Sequence, residues 1–150
     1  MKFTCTAVID RPIAKVVEVF KNPGNLKKWQ PGLMSVEPIS GTPGTVGAKT
    51  KLVFQNKKQQ DVVLTETIQI SNLPAELSAL YEHVHMVNTM THRFTSLGPN
   101  FTKWEADVHY TKFNLLLPKI IGFIMPGMFQ KQTQKWLDSF KAFAEKEIPA

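Results

Sequence analysis

Cysteine is almost absent from this chain. Cys5 is the only cysteine among 150 residues, so it has no internal partner for a disulfide bond and lacks the paired spacing of a cysteine zinc site. Such scarcity is typical of proteins kept in a reducing compartment, and we therefore expect a cytoplasmic protein. Cys5 itself lies in an alternating segment, which favours a buried structural thiol over a nucleophile.

Segments for export, membrane crossing and nucleic-acid binding are also missing. The N-terminus begins directly with an alternating pattern, and we expect no cleaved signal peptide. The longest apolar stretch, residues 113–129, contains two prolines and two glycines, so it is a poor membrane span. The net charge is +6, but the lysines occur in small groups spread along the chain, such as the pairs at 27–28 and 57–58. Without a long basic run we expect no nucleic-acid partner.

The motifs of common catalytic centres are missing as well. No serine lies in a nucleophile-elbow pattern, no glycine-rich segment matches a phosphate loop, and no pair of carboxylates stands out. His83 and His85 have a spacing that occurs in metal sites, but the sequence specifies no third ligand, even with His92 and His109 included. We therefore predict no metal and no cofactor, and leave enzymatic activity open.

The first thirty residues carry the clearest pattern. Residues 3–9 alternate between apolar and polar side chains, which predicts a strand with one buried face. Asp10 is expected to cap a helix whose apolar face includes Val16 and Phe20. A second short helical segment is expected to end at Trp29. Two small helices therefore separate the first strand from the rest.

Alternation continues through most of the remaining chain. Glycine-rich or proline-containing turns interrupt it at residues 41–47, 72–74 and 98–100. Together these patterns predict six or seven antiparallel strands. The segments after the first strand are residues 33–39, 48–55, 62–70, 77 to about 87, a strand holding 90–94, and 104–110.

The C-terminal part predicts one long helix. Residues 113–129 contain a single charge, Lys119, and Trp136 and Phe140 then lie at helical spacing. Pro118 is suited to begin this helix, whereas Pro126 is expected to kink or restart it. The apolar start of the helix should cover part of the sheet.

The order of these elements resembles the START-like superfamily, also called the polyketide cyclase/dehydrase and lipid transport family. The resemblance covers essentially the whole chain as one domain, residues 1–150. It implies an α+β helix-grip fold, in which a curved antiparallel sheet wraps around the long C-terminal helix and encloses a mainly apolar cavity for lipids, sterols or polyketides. Its best local matches are Ile9-Asp10-Arg11-Pro12, Val16-Val17 with Phe20, residues 22–29, Val36-Glu37, and Gly44-Thr45-Val46-Gly47.

Strand parity and the apolar part of the last helix together predict the side chains that line such a cavity. Parity predicts which way a side chain faces, not whether the space before it is empty, so a filled core remains the alternative for each of them. The predicted lining residues are Trp29, Met34, Leu64, Glu66, Tyr81, His83, Met90, Phe94, Trp104, Val108, Ile120, Ile121, Ile124 and Met128, with Phe129 near a mouth.

Glu66 is the anomaly in this set, because it shares the parity of apolar neighbours. One interpretation is a cavity carboxylate with a raised pKa that binds a ligand hydroxyl or acts as a base. The other is a solvent-facing glutamate permitted by a bulge or a register change. Tyr81 has the same two alternatives: its hydroxyl orients a ligand carbonyl, or it packs with its tip at the surface.

Three functions follow from these patterns. The first is a noncatalytic carrier or sensor of a hydrophobic small molecule. The second is a cyclase- or dehydratase-like enzyme in which Glu66, Tyr81 or His83 moves a proton. The third is a lipid-transfer module that makes transient contact with a membrane surface through residues 113–129. The sequence leaves the ligand and the oligomeric state open.

Overall fold

The computed structural model describes residues 1–55, 59–113 and 126–150. Three helices, a 3-10 turn and seven strands lie within these ranges. Their bounds are β1 (Lys2–Ile9), α1 (Ile13–Lys21), the 3-10 turn (Pro23–Asn25), α2 (Leu26–Trp29), β2 (Leu33–Ser40), β3 (Lys49–Gln55), β4 (Asp61–Asn72), β5 (Glu76–Glu82), β6 (Met86–Gly98), β7 (Phe101–Phe113) and α3 (Pro126–Glu147).

The strands form one antiparallel sheet in the order β1-β7-β6-β5-β4-β3-β2. Hairpins join β2 through β7 in sequence order, whereas β1 joins the sheet beside β7. Bulges interrupt the pairing of β2 with β3, β4 with β5 and β6 with β7. Such bulges bend a strand and increase its twist, which lets the sheet wrap around a helix. The predicted α+β helix-grip fold is therefore confirmed.

Helix α3 lies along the edge strand β1 and closes that edge. Amide and ammonium groups on one stripe of α3 donate hydrogen bonds to the free main-chain carbonyls of β1, which a second chain could otherwise pair with. The three bonds are Gln130 Nε2 to Thr4 O (3.4 Å), Gln134 Nε2 to Thr6 O (2.9 Å) and Lys141 Nζ to Val8 O (2.7 Å). The other edge strand, β2, carries Pro38 and two bulges, which also discourage strand addition.

The main core lies between α1, α2 and α3 and the half of the sheet formed by β1, β7 and β6. Ile9, Trp104 and Phe140 are fully buried there. The ring of Phe20 lies at the centre of an aromatic group, with its centroid 5.3 Å from that of Trp104 and 5.7 Å from that of Phe140. These rings pack edge to face, an arrangement that stabilises a core beyond the burial of apolar area alone.

The start of α1 differs from the prediction. Pro12 occupies the N-cap position, and no side chain caps the helix. Asp10 instead uses its main-chain N–H to donate to Glu145 Oε2 at 2.9 Å. The predicted Asp10 cap is wrong because α1 begins later than a cap at this position requires, at Ile13, and the intervening Arg11 donates to the carbonyls of Ile148 and Glu145 at the end of α3.

The predicted strand from residue 77 to about 87 is too long. β5 ends at Glu82, and a tight turn follows in which His83 N donates to Met86 O (2.8 Å) and Met86 N donates to His83 O (3.2 Å). His83 and His85 therefore flank Val84 in a turn and do not share a strand face. Local alternation cannot reveal such a turn, because it contains no glycine or proline.

The described part of helix α3 runs from Pro126 to Glu147. The residues directly before Pro126 are not described, so the predicted kink or restart at this proline stays a prediction. The predicted earlier part of the helix, with Pro118 and Lys119, lies outside the described residues. Among the helices that the structure describes, none combines the length and the apolar character needed to cross a membrane.

Candidate functional site

The concave face of the sheet has two unlike halves. On β7, Trp104 and Ala106 are fully buried beneath the helices. On β3 and β4, Leu52 is buried, but the inward side chains around it, Phe54, Val62 and Leu64, are only partly buried. Apolar side chains on the inner face of a sheet are normally covered, so this strip marks where the described helices leave the concave face open.

Helix α3 reaches the open half through one aromatic contact. The helix packs chiefly on β1 and α2, and the indole of Trp136 extends to stack on Phe54, with 5.8 Å between ring centroids and 22° between planes. The Trp136 Nε1 atom is buried and has no hydrogen-bond partner within the described ranges. A buried indole N–H usually has an acceptor, and the indole of Trp29 in the main core is unpaired in the same way.

A small second cluster closes one end of this strip. Ala48, directly before β3, is buried together with Ile68 on β4 and Ala79 on β5, and Leu77 and Tyr81 pack against them. Tyr81 also packs against the main core. The open strip therefore ends at Tyr81 on this side and continues along β4 in the direction of the β3–β4 turn.

Glu66 and Tyr81 meet at that closed end. They are opposite each other in the β4–β5 register, and the Tyr81 hydroxyl donates to Glu66 Oε2 at 2.8 Å. Burial raises the pKa of Glu66, and the hydrogen bond from Tyr81 opposes this shift. Burial and the adjacent carboxylate raise the pKa of Tyr81 well above its usual value, so Tyr81 remains a donor. Two groups that sequence parity predicted to face inward are thus joined in one polar pair.

The fourteen predicted lining residues fall into five groups. Five of them, Trp29, Met90, Phe94, Trp104 and Val108, are buried in the main core. Leu64, Glu66 and Tyr81 belong to the open half, and His83 lies in the β5–β6 turn. Met34 and Met128 are 52% and 55% exposed. Ile120, Ile121 and Ile124 lie outside the described residues.

Met34 owes its position to a register shift. Leu33 pairs with Phe54 and is buried, and the β2–β3 register then shifts between Leu33 and Ser35. Met34 lies within that irregularity, so strict alternation does not describe its direction. Phe54, which the sequence-based set omitted, occupies the inward position next to Leu33. Its parity within residues 48–55 could have indicated this.

The histidine pair in the β5–β6 turn has a local role. The rings of His83 and His85 lie 5.4 Å apart, and the main-chain N–H of His85 donates to His83 Nδ1 at 3.2 Å. Burial lowers the pKa of His83, and the charge of the neighbouring His85 adds to this shift. Across the part of the chain that the structure describes, no group of three histidine, cysteine or carboxylate side chains has the geometry to hold a metal ion.

His92 is a buried polar residue that the sequence-based lining set did not include. Its Nδ1 accepts a hydrogen bond from Trp104 Nε1 at 3.2 Å, and burial lowers its pKa to about 4. The register pairs His92 with Ala106 and His109 with Thr89, so the two histidines face opposite sides of the sheet and do not converge. Parity with Met90 and Phe94 was the sequence signal that could have identified His92 as inward-facing.

The architecture recurs in solved structures with little sequence similarity. An aromatase/cyclase from a Streptomyces species superposes with a TM-score of 0.81 at 12% identity, covering 100% of this chain and 96% of that chain. A protein from Thermus thermophilus gives 0.80 at 13% identity, covering 99% and 100%. A START superfamily protein from Mycobacterium smegmatis gives 0.73 at 13% identity, covering 98% and 99%. At these identities the similarity shows the fold alone.

Sequence comparisons lead to the family. Comparison with curated proteins finds no match. The family model described as polyketide cyclase / dehydrase and lipid transport matches residues 1–145, which is nearly the whole chain and includes every element of the sheet and almost all of α3. This chain belongs to the polyketide cyclase / dehydrase and lipid transport family.

Proposed function

We propose that this protein binds a hydrophobic small molecule, such as a lipid or a polyketide, between the β3–β5 half of the sheet and α3, as a carrier or sensor. The observation that carries this proposal is the partial exposure of Phe54, Val62 and Leu64 around the buried Leu52, on a face whose side chains at Trp104 and Ala106 are fully buried. Membership of the family supports the same class of ligand.

Such a surface can supply enough free energy to bind a small hydrophobic molecule. Removing about 300 Å² of apolar ligand surface from water contributes roughly 7 kcal/mol before the costs of association. A ligand of that size needs only a few polar contacts to be selected. Glu66, Tyr81 and the indole N–H of Trp136 are the polar groups that border the strip.

The direct test is native mass spectrometry of the freshly purified protein, followed by denaturing extraction and identification of what is released. A discrete noncovalent adduct with an apolar constituent is the expected result. A clean mass of the protein alone, together with no thermal shift across a panel of lipids and polyketides, would argue for a filled core and a role in protein interaction.

A pair of tryptophan substitutions locates the binding space. Leu64→Trp adds a ring to the partly exposed strip, so we expect it to abolish ligand uptake with little change in the melting temperature. Val108→Trp adds the same ring to a buried position in the main core, where overpacking costs about 1 to 3 kcal/mol. Ligand uptake and thermal unfolding should be measured for both variants. Full uptake by a folded Leu64→Trp protein would remove the strip from the site.

Proton transfer to or from the bound molecule is the second candidate function, and the Glu66–Tyr81 hydrogen bond favours it. A carboxylate held beside an apolar surface can act as a base toward an acidic C–H bond. We expect the protein to accelerate exchange of the hydrogens next to the carbonyl of 2-decanone in D2O, followed by proton NMR, and Glu66→Gln to abolish the acceleration. Exchange at the buffer rate with the native protein would leave binding as the function.

The proposal extends to location and partners. A cytoplasmic protein without a nucleic-acid partner is supported by the single cysteine, Cys5, which is buried and free, and by the dispersed lysines. Transient contact with a membrane surface remains a prediction, because most of the apolar stretch on which it depends lies outside the described residues. The lipid or polyketide is the partner that the family and the open strip jointly favour.

A further inference from the structure

The polar pair at the closed end of the strip lacks a counter-charge. Glu66 accepts from Tyr81 through Oε2, and no ion pair or second hydrogen bond involves its carboxylate within the described ranges. The two influences on its pKa are burial and the Tyr81 hydrogen bond, without a neighbouring cation. One carboxylate oxygen, Oε1, is therefore left as an acceptor without a donor from the described part of the chain.

The surroundings of Glu66 define a direction along β4. Toward one end, Ile68 is buried against Ala48 and Ala79. Toward the other, Leu64 and Val62 are inward-facing and only partly buried. At about 3.3 Å per residue, the four residues from Glu66 to Val62 span roughly 13 Å. A molecule lying on this strip has its end at Glu66 and its body along apolar side chains.

The chemistry of Oε1 selects the group at that end. A ligand carbonyl or carboxylate presents only lone pairs to a carboxylate oxygen and would be repelled. An ammonium group would form an ion pair with the carboxylate, but it would have to give up its hydration at a site whose cross-strand neighbours, Thr50 and Tyr81, are neutral. A neutral hydroxyl donates one hydrogen bond, costs less to desolvate, and forms a charge-assisted contact.

We propose that the ligand is an elongated apolar molecule with a terminal hydroxyl group, which donates to Glu66 Oε1 while the apolar body lies over Leu64, Val62 and Phe54. This inference rests on the proposed function, because it names the chemical class that the same strip accepts. Tyr81 acts as a positioning residue: its hydrogen bond to Oε2 holds the carboxylate so that Oε1 faces the strip.

The test compares two isomers that differ in the donor. 1-Decanol and 1-methoxynonane have the same composition and a similar length, but only the alcohol has an O–H. Both should displace the neutral fluorescent probe N-phenyl-1-naphthylamine from the native protein. We expect the alcohol to bind about tenfold or more tightly than the ether, the effect of one hydrogen bond to a charged acceptor.

Two variants assign the preference to Glu66. Glu66→Met keeps a similar volume without a polar atom, and it should reduce the alcohol-to-ether ratio to about one while ether affinity is retained. Glu82→Met is the matched control, because Glu82 is exposed and adjacent to Tyr81 on the opposite face of β5. This control should keep the native ratio.

Each outcome separates the inference from the proposed function. Equal displacement by the alcohol and the ether would overturn the hydroxyl assignment and leave hydrophobic binding in place. No displacement by either would overturn both. Decylamine supplies the third arm: an affinity more than tenfold above that of 1-decanol would overturn the hydroxyl assignment in favour of an ammonium group. Because the comparison uses the native protein, it holds even where Glu66→Met fails to fold.

Discussion

Replacing Trp104 with alanine is expected to lower the free energy of unfolding by about 4 kcal/mol, within the range for deleting a large buried aromatic side chain. Trp104 is fully buried, and its ring centroid lies 5.3 Å from that of Phe20, 5.6 Å from Phe94 and 5.1 Å from Phe140. The surrounding rings come from α1, β6 and α3, so they cannot all move to fill the space. The substitution also leaves His92 without its hydrogen-bond donor.

Chemical denaturation monitored by far-ultraviolet circular dichroism measures this loss. The control is Phe101→Ala, which removes an aromatic side chain from the same strand at a position that is 46% exposed. Exposed substitutions of this kind change stability by about 0.5 kcal/mol or less. A loss below about 1 kcal/mol for Trp104→Ala would mean that the aromatic group does not provide the main core.

Acidification is expected to destabilise the protein through His92. The pKa of His92 is lowered to about 4 in the folded protein, against an ordinary value of 6.5 for histidine, because burial disfavours the charged imidazole. Between these pH values the unfolded chain binds more protons than the folded one, so the free energy of unfolding falls as the pH falls. The difference corresponds to about 3 kcal/mol lost between pH 6.5 and pH 4.

Glu66 acts in the opposite direction over its own range. Its pKa is raised in the folded protein, so the folded state binds the extra proton and the free energy of unfolding rises as the pH falls through that range. The net pH dependence is the sum of both groups and of the other titrating side chains. The contribution of His92 must therefore be isolated with a variant.

His92→Leu removes the titrating ring. Its unfolding free energy should be lower at neutral pH, because Trp104 Nε1 loses its acceptor, yet it should depend less on pH between about 6.5 and 4 than that of the native protein. NMR titration of the His92 ring protons gives an independent measure and should show a midpoint well below the ordinary histidine value. A midpoint near 6.5, or an unchanged pH slope in the variant, would contradict the prediction.

The elements of the fold follow closely from local sequence. Residues 3–9 correspond to β1, and residues 26–29 form α2. These predictions were confirmed because alternation and helix-breaking residues are local signals, which depend only on residues a few positions apart in the sequence. The failure at Asp10 came from an interaction between distant segments, because its main chain bonds to Glu145 on α3.

The candidate site could be predicted only in part from the sequence. Parity alone indicated that Glu66 and Tyr81 face inward, but their hydrogen bond depends on the β4–β5 register, which includes a shift between Ile68 and Ile70. No local pattern specifies such a shift. Strand parity could also have predicted that Phe54 and His92 face inward. Neither was identified, because polar and apolar residues are mixed around each of them.

Away from the bulges, the sequence by itself determined which side chains face the concave side of the sheet, because a strand turns its residues to alternate faces wherever it lies. Only the tertiary structure decided which of those side chains are covered. Helix α3 packs along β1 and α2, so Trp104 and Val108 are sealed, whereas Leu64 and Glu66 on β4 remain partly uncovered. Coverage depends on where a helix far from β4 in sequence comes to rest, and alternation within β4 carries no information about that position.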